Sequence, residues 1–438
     1  MKTIYMKDLT NYFNQEIEIS GFVDKIRDLQ FVQFIIVRDS TGKTQITIEK
    51  NETNQVMNDM VSHLTKESTI VAKGVIYERP NVKLRGMEFI PSMLEITSVS
   101  EEQLPIDILD YTNATEKELR LDNRFLDLRT ERNYLIFKAQ TLCEMAMREY
   151  WLENNFIEIH SPKILGTASE SGAEVFKMDY FGRTVYLAQS PQFYKQMAMA
   201  AGFNNVFEIA PVFRAEKSHT AYHATEFTSV DCEISWIKSH HDVMDMEEAF
   251  CKRMLLKLKT DISEEYKRIY NKEFNLNDVA FPRISFAECK QIIQEKYHYT
   301  GEKAFDIDRR EEELIGMYAK KTFNCDFVFV TEYPFAARPF YHMLDESGLT
   351  KSFDLLYCGV EITTGAQREH RLDILKKQAT EKGLPLESLE FYFNFFKYGV
   401  PPHGGLGFGL TRFLMKLFDT ESIREVTLLY RGPNRVNP

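Results

Sequence analysis

A cluster of glycines directly before an apolar helix pattern is the feature that most restricts how this chain can fold. The glycines lie within residues 404–409, and the apolar residues after them repeat at the spacing of one helix face: Leu410, Phe413, Leu414 and Leu417. A glycine backbone can lie flat against a ligand, and Arg412 would stand near the positive end of the helix dipole. The pattern favours a nucleotide, with its flat base and anionic phosphates, although a helix packed closely on a strand would give the same pattern.

Composition limits the class of protein. The 438 residues exceed what one ordinary core accommodates, so we expect two or three domains. A net charge of −11 argues against a general coat for nucleic acid, but not against a partner bound by a local basic surface. The six cysteines form no CxxC pair, and we find neither a signal peptide nor an apolar run of membrane length. These features predict a cytoplasmic protein with no membrane partner.

Residues 1–102 are predicted to form a small β-barrel domain. Five segments in it are rich in β-branched and aromatic residues, and a helical pattern near residues 53–65 interrupts them. This arrangement is typical of an OB-fold. The polar residues 103–131 that follow are interpreted as a hinge. The five predicted strands are Ile17–Val23, Phe31–Val37, Thr44–Ile48, Thr69–Tyr77 and Met87–Ile96.

Residues 132–438 are predicted to form a second domain, so that the whole chain is α+β. A helix from Asn133 leads into a strand at residues 156–162, and the proline at its end, Pro162, suits a sheet edge or an interface. Further strands are expected at residues 206–214, 226–237 and 353–365, and a helix at residues 386–397.

The strand at residues 226–237 has one polar and one apolar face, which indicates an antiparallel sheet. Asp231 and Glu233 fall on the polar face, and carboxylates there are costly unless they hold cations or ligand groups. The opposite face would be packed and carries Val230, Cys232, Ile234 and Trp236.

Three patterns follow one another in a fixed order along the second domain. They are the helix and strand ending at Pro162, the strand–loop–strand of residues 206–237 and the glycine loop and helix of residues 403–418. Together they resemble motifs 1, 2 and 3 of the class II aminoacyl-tRNA synthetases, and the likeness covers nearly the whole chain. It is strongest to the aspartyl type of archaea and the eukaryotic cytosol, on the runs at residues 121–129, 188–195 and 365–371.

The resemblance implies a catalytic domain with a central antiparallel sheet flanked by helices and an insertion at about residues 262–350. It also implies a homodimer, because Pro162 of motif 1 would lie at the subunit contact. The expected enzyme joins L-aspartate to ATP, releases pyrophosphate and transfers the aspartyl group to the 3′ end of tRNA-Asp, or of both tRNA-Asp and tRNA-Asn.

Displacement at phosphorus needs cations and a metal more than a general base. In the family pattern Arg214 would bridge the aspartate carboxylate and the α-phosphate, and Arg412 would bind on the γ-phosphate side. Both are therefore predicted catalytic residues. Glu361 and Thr364 would hold Mg²⁺ between the phosphates, with Asp354 as a weaker candidate.

The remaining ATP contacts follow from the same likeness. Phe227 would stack on adenine, Glu216 would read its amino group, and His223, with His219, would meet the outer phosphates. The implied ATP site comprises Arg214, Ala215, Glu216, Tyr222, His223, Ala224, Phe227, Glu361, Gly409, Leu410, Thr411 and Arg412.

Lys195 and Arg368 would select the amino acid. Two cations converging on one small carboxylate favour aspartate over asparagine by charge. The implied aspartate site comprises Glu170, Gln192, Lys195, Arg214, Asp231, Thr364 and Arg368, of which Glu170, Gln192 and Asp231 would surround the ammonium group.

In the N-terminal domain, Phe34, Gln45 and Arg27 stand where the family reads the anticodon. An aromatic ring can stack on a base and an amide can read its edge, although Phe34 also alternates like a core residue.

The chain departs from the family pattern at residues 28–31, at 221–223 of the motif 2 loop and at 429–436. Asp24 and Asn81 replace a Trp and a Lys of strict aspartate enzymes, which favours relaxed choice between tRNA-Asp and tRNA-Asn. The alternatives are an asparaginyl enzyme, which Lys195 argues against, and a specialised paralogue that transfers activated aspartate to another acceptor or regulates by binding RNA.

Overall fold

The computed structural model describes residues 4–108, 115–167, 174–217 and 220–438. The chain divides into two compact units, Met1–Glu131 and Arg132–Pro438.

The first unit contains a closed barrel of five strands, in the order β1-β2-β3-β5-β4. The predicted barrel is confirmed, because alternate residues of each strand fill the interior and the ladder leaves no open edge. A short helix, α1 (Gln55–Ser62), lies between β3 and β4. The strands are β1 (Glu16–Asp28), β2 (Val32–Arg38), β3 (Lys43–Glu49), β4 (Thr69–Glu78) and β5 (Met87–Ser98).

The segment after the barrel has a small apolar cluster of its own. Ile106, Ile108 and Leu126 are buried together, and the buried Arg124 forms an ion pair with Asp127. The two helices here are α2 (Lys117–Asp122) and α3 (Arg124–Asp127).

The second unit is built on an eight-stranded sheet. Its strand order is β12-β13-β14-β15-β16-β11-β10-β6, and the inner pairs are antiparallel as predicted, whereas the pairs at the two ends are parallel. The sheet strands are β6 (Ile157–Glu158), β10 (Asn205–Phe213), β11 (Glu226–Ser235), β12 (Arg283–Ser285), β13 (Phe327–Thr331), β14 (Ser352–Tyr357), β15 (Val360–Gln367) and β16 (His403–Phe408). A separate three-stranded sheet is formed by β7 (Ile164–Leu165), β8 (Lys177–Tyr180) and β9 (Arg183–Leu187).

Helices cover the large sheet. The helices α6 and α11 pack against β15, and their apolar side chains share one core with Trp151 of α4 and Phe408 of β16. The helices of this unit are α4 (Glu131–Glu153), α5 (Gln192–Ala200), α6 (His240–Tyr270), α7 (Phe286–Tyr297), α8 (Arg309–Phe323), α9 (Leu372–Glu381), α10 (Glu390–Phe395) and α11 (Leu410–Leu417). Across the described ranges, no helix combines the length and apolarity that crossing a membrane requires.

Three local predictions for this unit are wrong. The expected strand at residues 156–162 pairs only over Ile157–Glu158. Residues 353–365 form two strands, because the turn at Cys358 and Gly359 takes positive φ at both positions, as a tight hairpin turn requires. Trp236 is 72% exposed, since β11 ends at Ser235 and the next residue takes a positive φ.

The region interpreted as an insertion, about residues 262–350, is not peripheral to the sheet. Its first residues continue α6, which runs to Tyr270, and it supplies the strands β12 and β13.

A buried acid behind the sheet predicts how stability depends on pH. Glu247 of α6 is fully buried, and neither of its carboxylate oxygens makes a hydrogen bond of ordinary geometry to another described residue. Burial, with the charge of Asp354, raises the pKa of Glu247 from 4.5 to about 8, against a smaller lowering by the Thr363 hydroxyl. The folded protein therefore keeps a proton that the unfolded chain releases, and the free energy of unfolding falls as pH rises from about 4.5 to about 8.

Glu247→Gln removes this loss, because the amide carries no charge at either pH. We expect the variant to gain on the order of 3 kcal/mol over wild type between pH 5 and pH 8.5, measured as the difference in free energy of unfolding. Glu264→Gln, at an exposed position of the same helix, is the control. Parallel pH profiles for Glu247→Gln and wild type would contradict the assignment.

Candidate active site

A deep cleft opens on the polar face of the large sheet, with an empty volume of about 1200 Å³ that includes space open to solvent. Its floor is formed by β11, β15 and β16, and residues of α5 and of the β10–β11 loop form its walls. The alternation of β11 places Asp231 at the cleft and Cys232 in the core behind the sheet.

Strand register gathers polar residues that lie far apart in the sequence. Asp354, Thr364, Gly407 and Asp231 are consecutive partners across four neighbouring strands, so their side chains point to the same face. Two residues further along the same two strands, Gly405 of β16 lies opposite Glu233 of β11.

Lys195 and Arg368 converge at one end of the cleft on a shared carboxylate, that of Glu233. The Lys195 Nζ lies 2.9 Å from Asp231 Oδ1 and 3.5 Å from Glu233 Oε2, and it donates to the Leu406 carbonyl at 2.8 Å. Arg368 donates to Glu233 through Nε at 2.9 Å and through Nη2 at 3.3 Å. Both cations are almost fully buried, with exposures of 2% and 3%.

The buried Arg368 guanidinium lines the cleft and makes three hydrogen bonds to described residues. Its third bond runs from Nη1 to His342 Nε2 at 3.2 Å. Burial, together with the Arg368 charge, holds the pKa of His342 well below its usual range, so this ring nitrogen can accept the bond. A guanidinium has five N–H donors, which leaves one hydrogen on each Nη for a bidentate partner.

Gly405 makes room for Glu233. A Cβ at position 405 would lie 2.1 Å from Glu233 Oε2 and 2.1 Å from the Cys232 carbonyl oxygen. At position 407 the nearest atom, Asp231 Oδ1, would be 3.3 Å away. The glycines of β16 are therefore not equivalent, since a Cβ at 405 would overlap both the Cys232 backbone and the buried Glu233 carboxylate.

The β10–β11 turn brings Arg214, Glu216 and His223 together. The Arg214 guanidinium lies 5.3 Å from the centre of the Phe227 ring, and Glu216 lies 4.0 Å from Arg214 and 3.6 Å from His223. Burial lowers the pKa of His223, with Arg412 and Arg214 also lowering it against the charge of Glu216. A base that stacks on this face of Phe227 would have to displace the Arg214 side chain.

Two acids and two arginines meet at the other end of the cleft, namely Glu361 and Asp354 with Arg412 and Arg338. Arg412 donates to the Glu361 carbonyl at 3.1 Å and lies 3.4 Å from its carboxylate. Thr364 donates to Asp354 at 2.8 Å, and Arg338 binds Asp354 with two bonds at 2.9 and 2.5 Å.

Negative charge is crowded around Glu361. Its enclosed position and the charge of Asp354 raise the pKa of Glu361. The backbone N–H of Glu361 donates to Glu312 at 3.0 Å, and burial together with Glu361 raises the pKa of Glu312 to about 7. A cation at this point would relieve the repulsion.

Most of the residues predicted from the sequence line this cleft. Ala215 and Leu410 do not; the Leu410 side chain is buried in the core. Glu170 and His219 lie outside the described residues. Those that line it are Gln192, Lys195, Arg214, Glu216, Tyr222, His223, Ala224, Phe227, Asp231, Glu361, Thr364, Arg368, Gly409, Thr411 and Arg412.

Arg27, Phe34 and Gln45 lie in the barrel unit, on its outer surface. Arg27 and Phe34 are directly paired between β1 and β2, and Gln45 follows on β3. Phe34 is only partly buried, while its neighbours Gln33 and Ile35 face the interior, so it is not a barrel core residue.

No sequence pattern predicts a site role for several residues that line the cleft or lie buried behind it. For the buried Glu233, the available signal is its place as an acid on a polar strand face. Arg338 and His342 lie in the region interpreted as an insertion, where no pattern pointed to them. Ser190, Ser229 and Tyr341 also line the cleft.

Two protein families match the chain. The family described as tRNA synthetases class II (D, K and N) matches residues 116–431, and the OB-fold nucleic acid binding domain matches residues 17–96.

Individual relatives match over the full length. The chain is 41% identical to an aspartate–tRNA(Asp) ligase of Pyrococcus abyssi and 40% identical to an aspartate–tRNA(Asp/Asn) ligase of Methanopyrus kandleri, with 100% of each chain covered in both cases. Among solved structures, asparaginyl-tRNA synthetase from Pyrococcus horikoshii in complex with asparaginyl-adenylate has a TM-score of 0.92 at 28% identity, covering 100% of both chains. Aspartyl tRNA synthetase from Entamoeba histolytica has a TM-score of 0.88 at 29% identity, covering 100% of this chain and 93% of the other.

The two cleft glycines differ in a way that can be measured. Gly405→Ala should lower the free energy of unfolding by roughly 2 kcal/mol or more, because its methyl group overlaps Glu233 and the backbone behind it. Gly407→Ala is the matched control and should cost less than about 1 kcal/mol. Thermal unfolding of both variants checks this, and equal losses would show that position 405 accepts a methyl group as readily as position 407.

Proposed function

The chain belongs to the class II tRNA synthetases, as an enzyme of the aspartate–tRNA ligase type, and we propose that the cleft activates L-aspartate with ATP before the aspartyl group passes to tRNA. The observation that carries the proposal is the buried pair Lys195 and Arg368, which meet at Glu233 and face into the cleft.

The side-chain carboxylate of aspartate fits the free end of Arg368. The two N–H groups that make no bond to a described residue, one on each Nη, would match the two oxygens of a carboxylate. Lys195 adds a second positive charge within the same pocket. Asparagine would present an NH₂ group to cations that cannot accept a hydrogen bond, so the pocket should reject it.

The amino acid's α-carboxylate and the α-phosphate would meet at Arg214. Its side chain is 44% exposed and its ion pair with Glu216 is long, at 4.0 Å, so the guanidinium is available for an anion. Arg412, with a side-chain exposure of 26%, is available on the side of Glu361. Two arginines so placed would stabilise the charge that develops as the carboxylate displaces pyrophosphate.

The donors at the Glu361 end fit Mg²⁺. They are hard oxygen atoms, a carboxylate from Glu361 and a hydroxyl from Thr364, in a place where acids repel one another. Asp354 is less available, because Arg338 already binds both of its oxygens. Among the described residues no group of three or more acidic, histidine or cysteine side chains could hold a metal ion alone, which agrees with an ion bound in part by phosphates. Bound there, Mg²⁺ would neutralise phosphate charge.

A homodimer is proposed through the motif 1 region. Pro162 is exposed beside β6 and β7, and apolar side chains near it are also exposed: Leu152 at 63%, Ile157 at 49% and Ile164 at 45%. Apolar surface of this kind is common in subunit contacts.

The activation step tests the function directly. We expect ATP–pyrophosphate exchange that depends on L-aspartate and not on L-asparagine. Lys195→Met should lower kcat/KM for aspartate by about 100-fold or more, because a charged hydrogen bond to the substrate is lost and two buried acids lose a partner. Lys377→Met, at an exposed lysine of α9 whose one ion pair within the described part of the chain is with Glu381, is the control.

Exchange with asparagine but not aspartate would instead indicate an asparaginyl enzyme. Exchange with aspartate without charging of any tRNA would indicate the specialised paralogue.

Choice of tRNA is the second proposal, and we expect charging of both tRNA-Asp and tRNA-Asn. A relative named for tRNA-Asp alone and one named for both tRNAs are 41% and 40% identical to this chain, so overall similarity does not distinguish them. The proposal therefore rests on residues of the barrel. Asn81 is exposed between β4 and β5. Asp24 forms ion pairs with Lys43 at 3.1 Å and with Arg38 at 3.6 Å. Neither supplies the Trp or Lys that strict enzymes carry.

Charging of pure tRNA-Asp and tRNA-Asn transcripts checks this proposal. Rates within about tenfold of each other support relaxed choice, since one base contact accounts for about 1–3 kcal/mol of discrimination. Asn81→Lys should reduce charging of tRNA-Asn more than that of tRNA-Asp. A wild-type enzyme that charges only tRNA-Asp would reject the proposal.

A further inference from the structure

A buried row of hydrogen bonds runs behind the end of the cleft at which Lys195 and Arg368 converge. We call this end, where the amino acid is proposed to bind, the amino-acid end. The row joins His403 at the start of β16 to Gln196 and Gln192, one turn apart on α5, and it includes Tyr392 of α10. All four side chains are buried, with exposures of 0%, 0%, 5% and 0% in that order. We call these four residues the Gln196 relay.

The direction of every bond in the Gln196 relay follows from one backbone carbonyl. His403 Nδ1 lies 2.8 Å from the Pro401 carbonyl oxygen, which can only accept, so this nitrogen carries the proton. Burial lowers the pKa of His403 to about 4, so the ring is neutral at physiological pH and its Nε2 must accept.

The amide of Gln196 is thereby fixed. The atom that faces His403 Nε2 at 3.0 Å must be the Nε2 of Gln196, because only the NH₂ group can donate. Gln196 Oε1 then points the other way and accepts from Tyr392 at 2.9 Å and from Gln192 at 3.0 Å.

The last bond fixes Gln192 in turn. Its NH₂ group donates to Gln196, so its Oε1 is the atom left over, and among the described residues none donates to that oxygen. Gln192 and Asp231 both line the cleft. An amide oxygen there can accept a hydrogen bond from a cation but cannot donate one to it.

We propose that Gln196, held by His403 and Tyr392, is a positioning residue that orients the Gln192 amide so that its oxygen faces the ammonium group of the bound amino acid. Without Gln196 the Gln192 amide could rotate and present its NH₂ group, which repels an ammonium. This inference deepens the proposed function and rests on it.

A double-mutant cycle for Gln192 and Gln196 tests the proposal, with aspartate-dependent ATP–pyrophosphate exchange as the assay. Gln192→Met should raise the KM for aspartate by about tenfold or more, as expected for a hydrogen bond to a charged group. Gln196→Met should raise it as well, with little change in kcat or in the KM for ATP. The double variant should be no worse than Gln192→Met, because Gln196 acts only through Gln192.

Two further variants separate positioning from simple packing. Gln196→Glu still accepts from Gln192 and Tyr392 through one oxygen, and its other oxygen can donate to His403 Nε2 only when it carries a proton. At a pH at which the buried carboxyl keeps that proton, the KM for aspartate should stay within about threefold of wild type. Gln291→Met, at an exposed helix position bonded to Glu295, is the control for the substitution itself.

Additive effects in the cycle, a wild-type KM in Gln196→Met, or an equal loss in Gln196→Glu and Gln196→Met would overturn the proposal. If the wild-type protein shows no exchange with aspartate, the proposed function fails instead, so the two failures can be told apart.

Discussion

Glu233 is the carboxylate on which the amino-acid end of the cleft depends. It is completely buried and is neutralised by Arg368 from the end of β15 and by Lys195 from α5. A buried charge without a partner is strongly unfavourable, so each of these three side chains requires the other two. Three elements from distant parts of the chain are thereby held in one arrangement, and the donors that remain on Arg368 are held in place before any ligand arrives. The small residue at 405 is a consequence, since nothing larger than glycine leaves space for the carboxylate.

The two ends of the cleft are built differently. At the amino-acid end the cations are buried and fully oriented, which suits recognition of a small anion and rejection of its amide. At the other end Arg214 and Arg412 are partly exposed and loosely paired, and the pKa of Glu361 is raised by its enclosed position and by the charge of Asp354. Groups of this kind can move to meet phosphates and a cation, whereas a rigid arrangement of like charges would be costly without them. Under the proposed function, selectivity for the amino acid would belong to the buried end of the cleft, and adjustment to the phosphates to the open end.

Local patterns were sufficient where an element is long and regular. The five barrel strands, the helix after Glu131 and the strands β10 and β11 all agree with the periodicity of their apolar residues. The predictions were wrong where the backbone conformation of one or two residues decides the local structure. A positive φ at Cys358 and Gly359 divides one apolar run into a hairpin, and a positive φ at Trp236 turns that ring to solvent. Such backbone conformations in non-glycine residues leave little trace in a hydrophobicity pattern.

The sequence by itself determined the elements, their faces and, through its resemblance to a family, most of the side chains that line the cleft. It did not determine which of them touch. The register that sets Glu233 opposite Gly405, the two bonds from Arg338 to Asp354 and the contact between Gln196 and His403 join residues that are far apart in the chain. The local periodicity of a sequence predicts which way a side chain points, but it does not predict which distant residue that side chain contacts. Only the folded sheet, in which strand pairing fixes each neighbour, decides that contact.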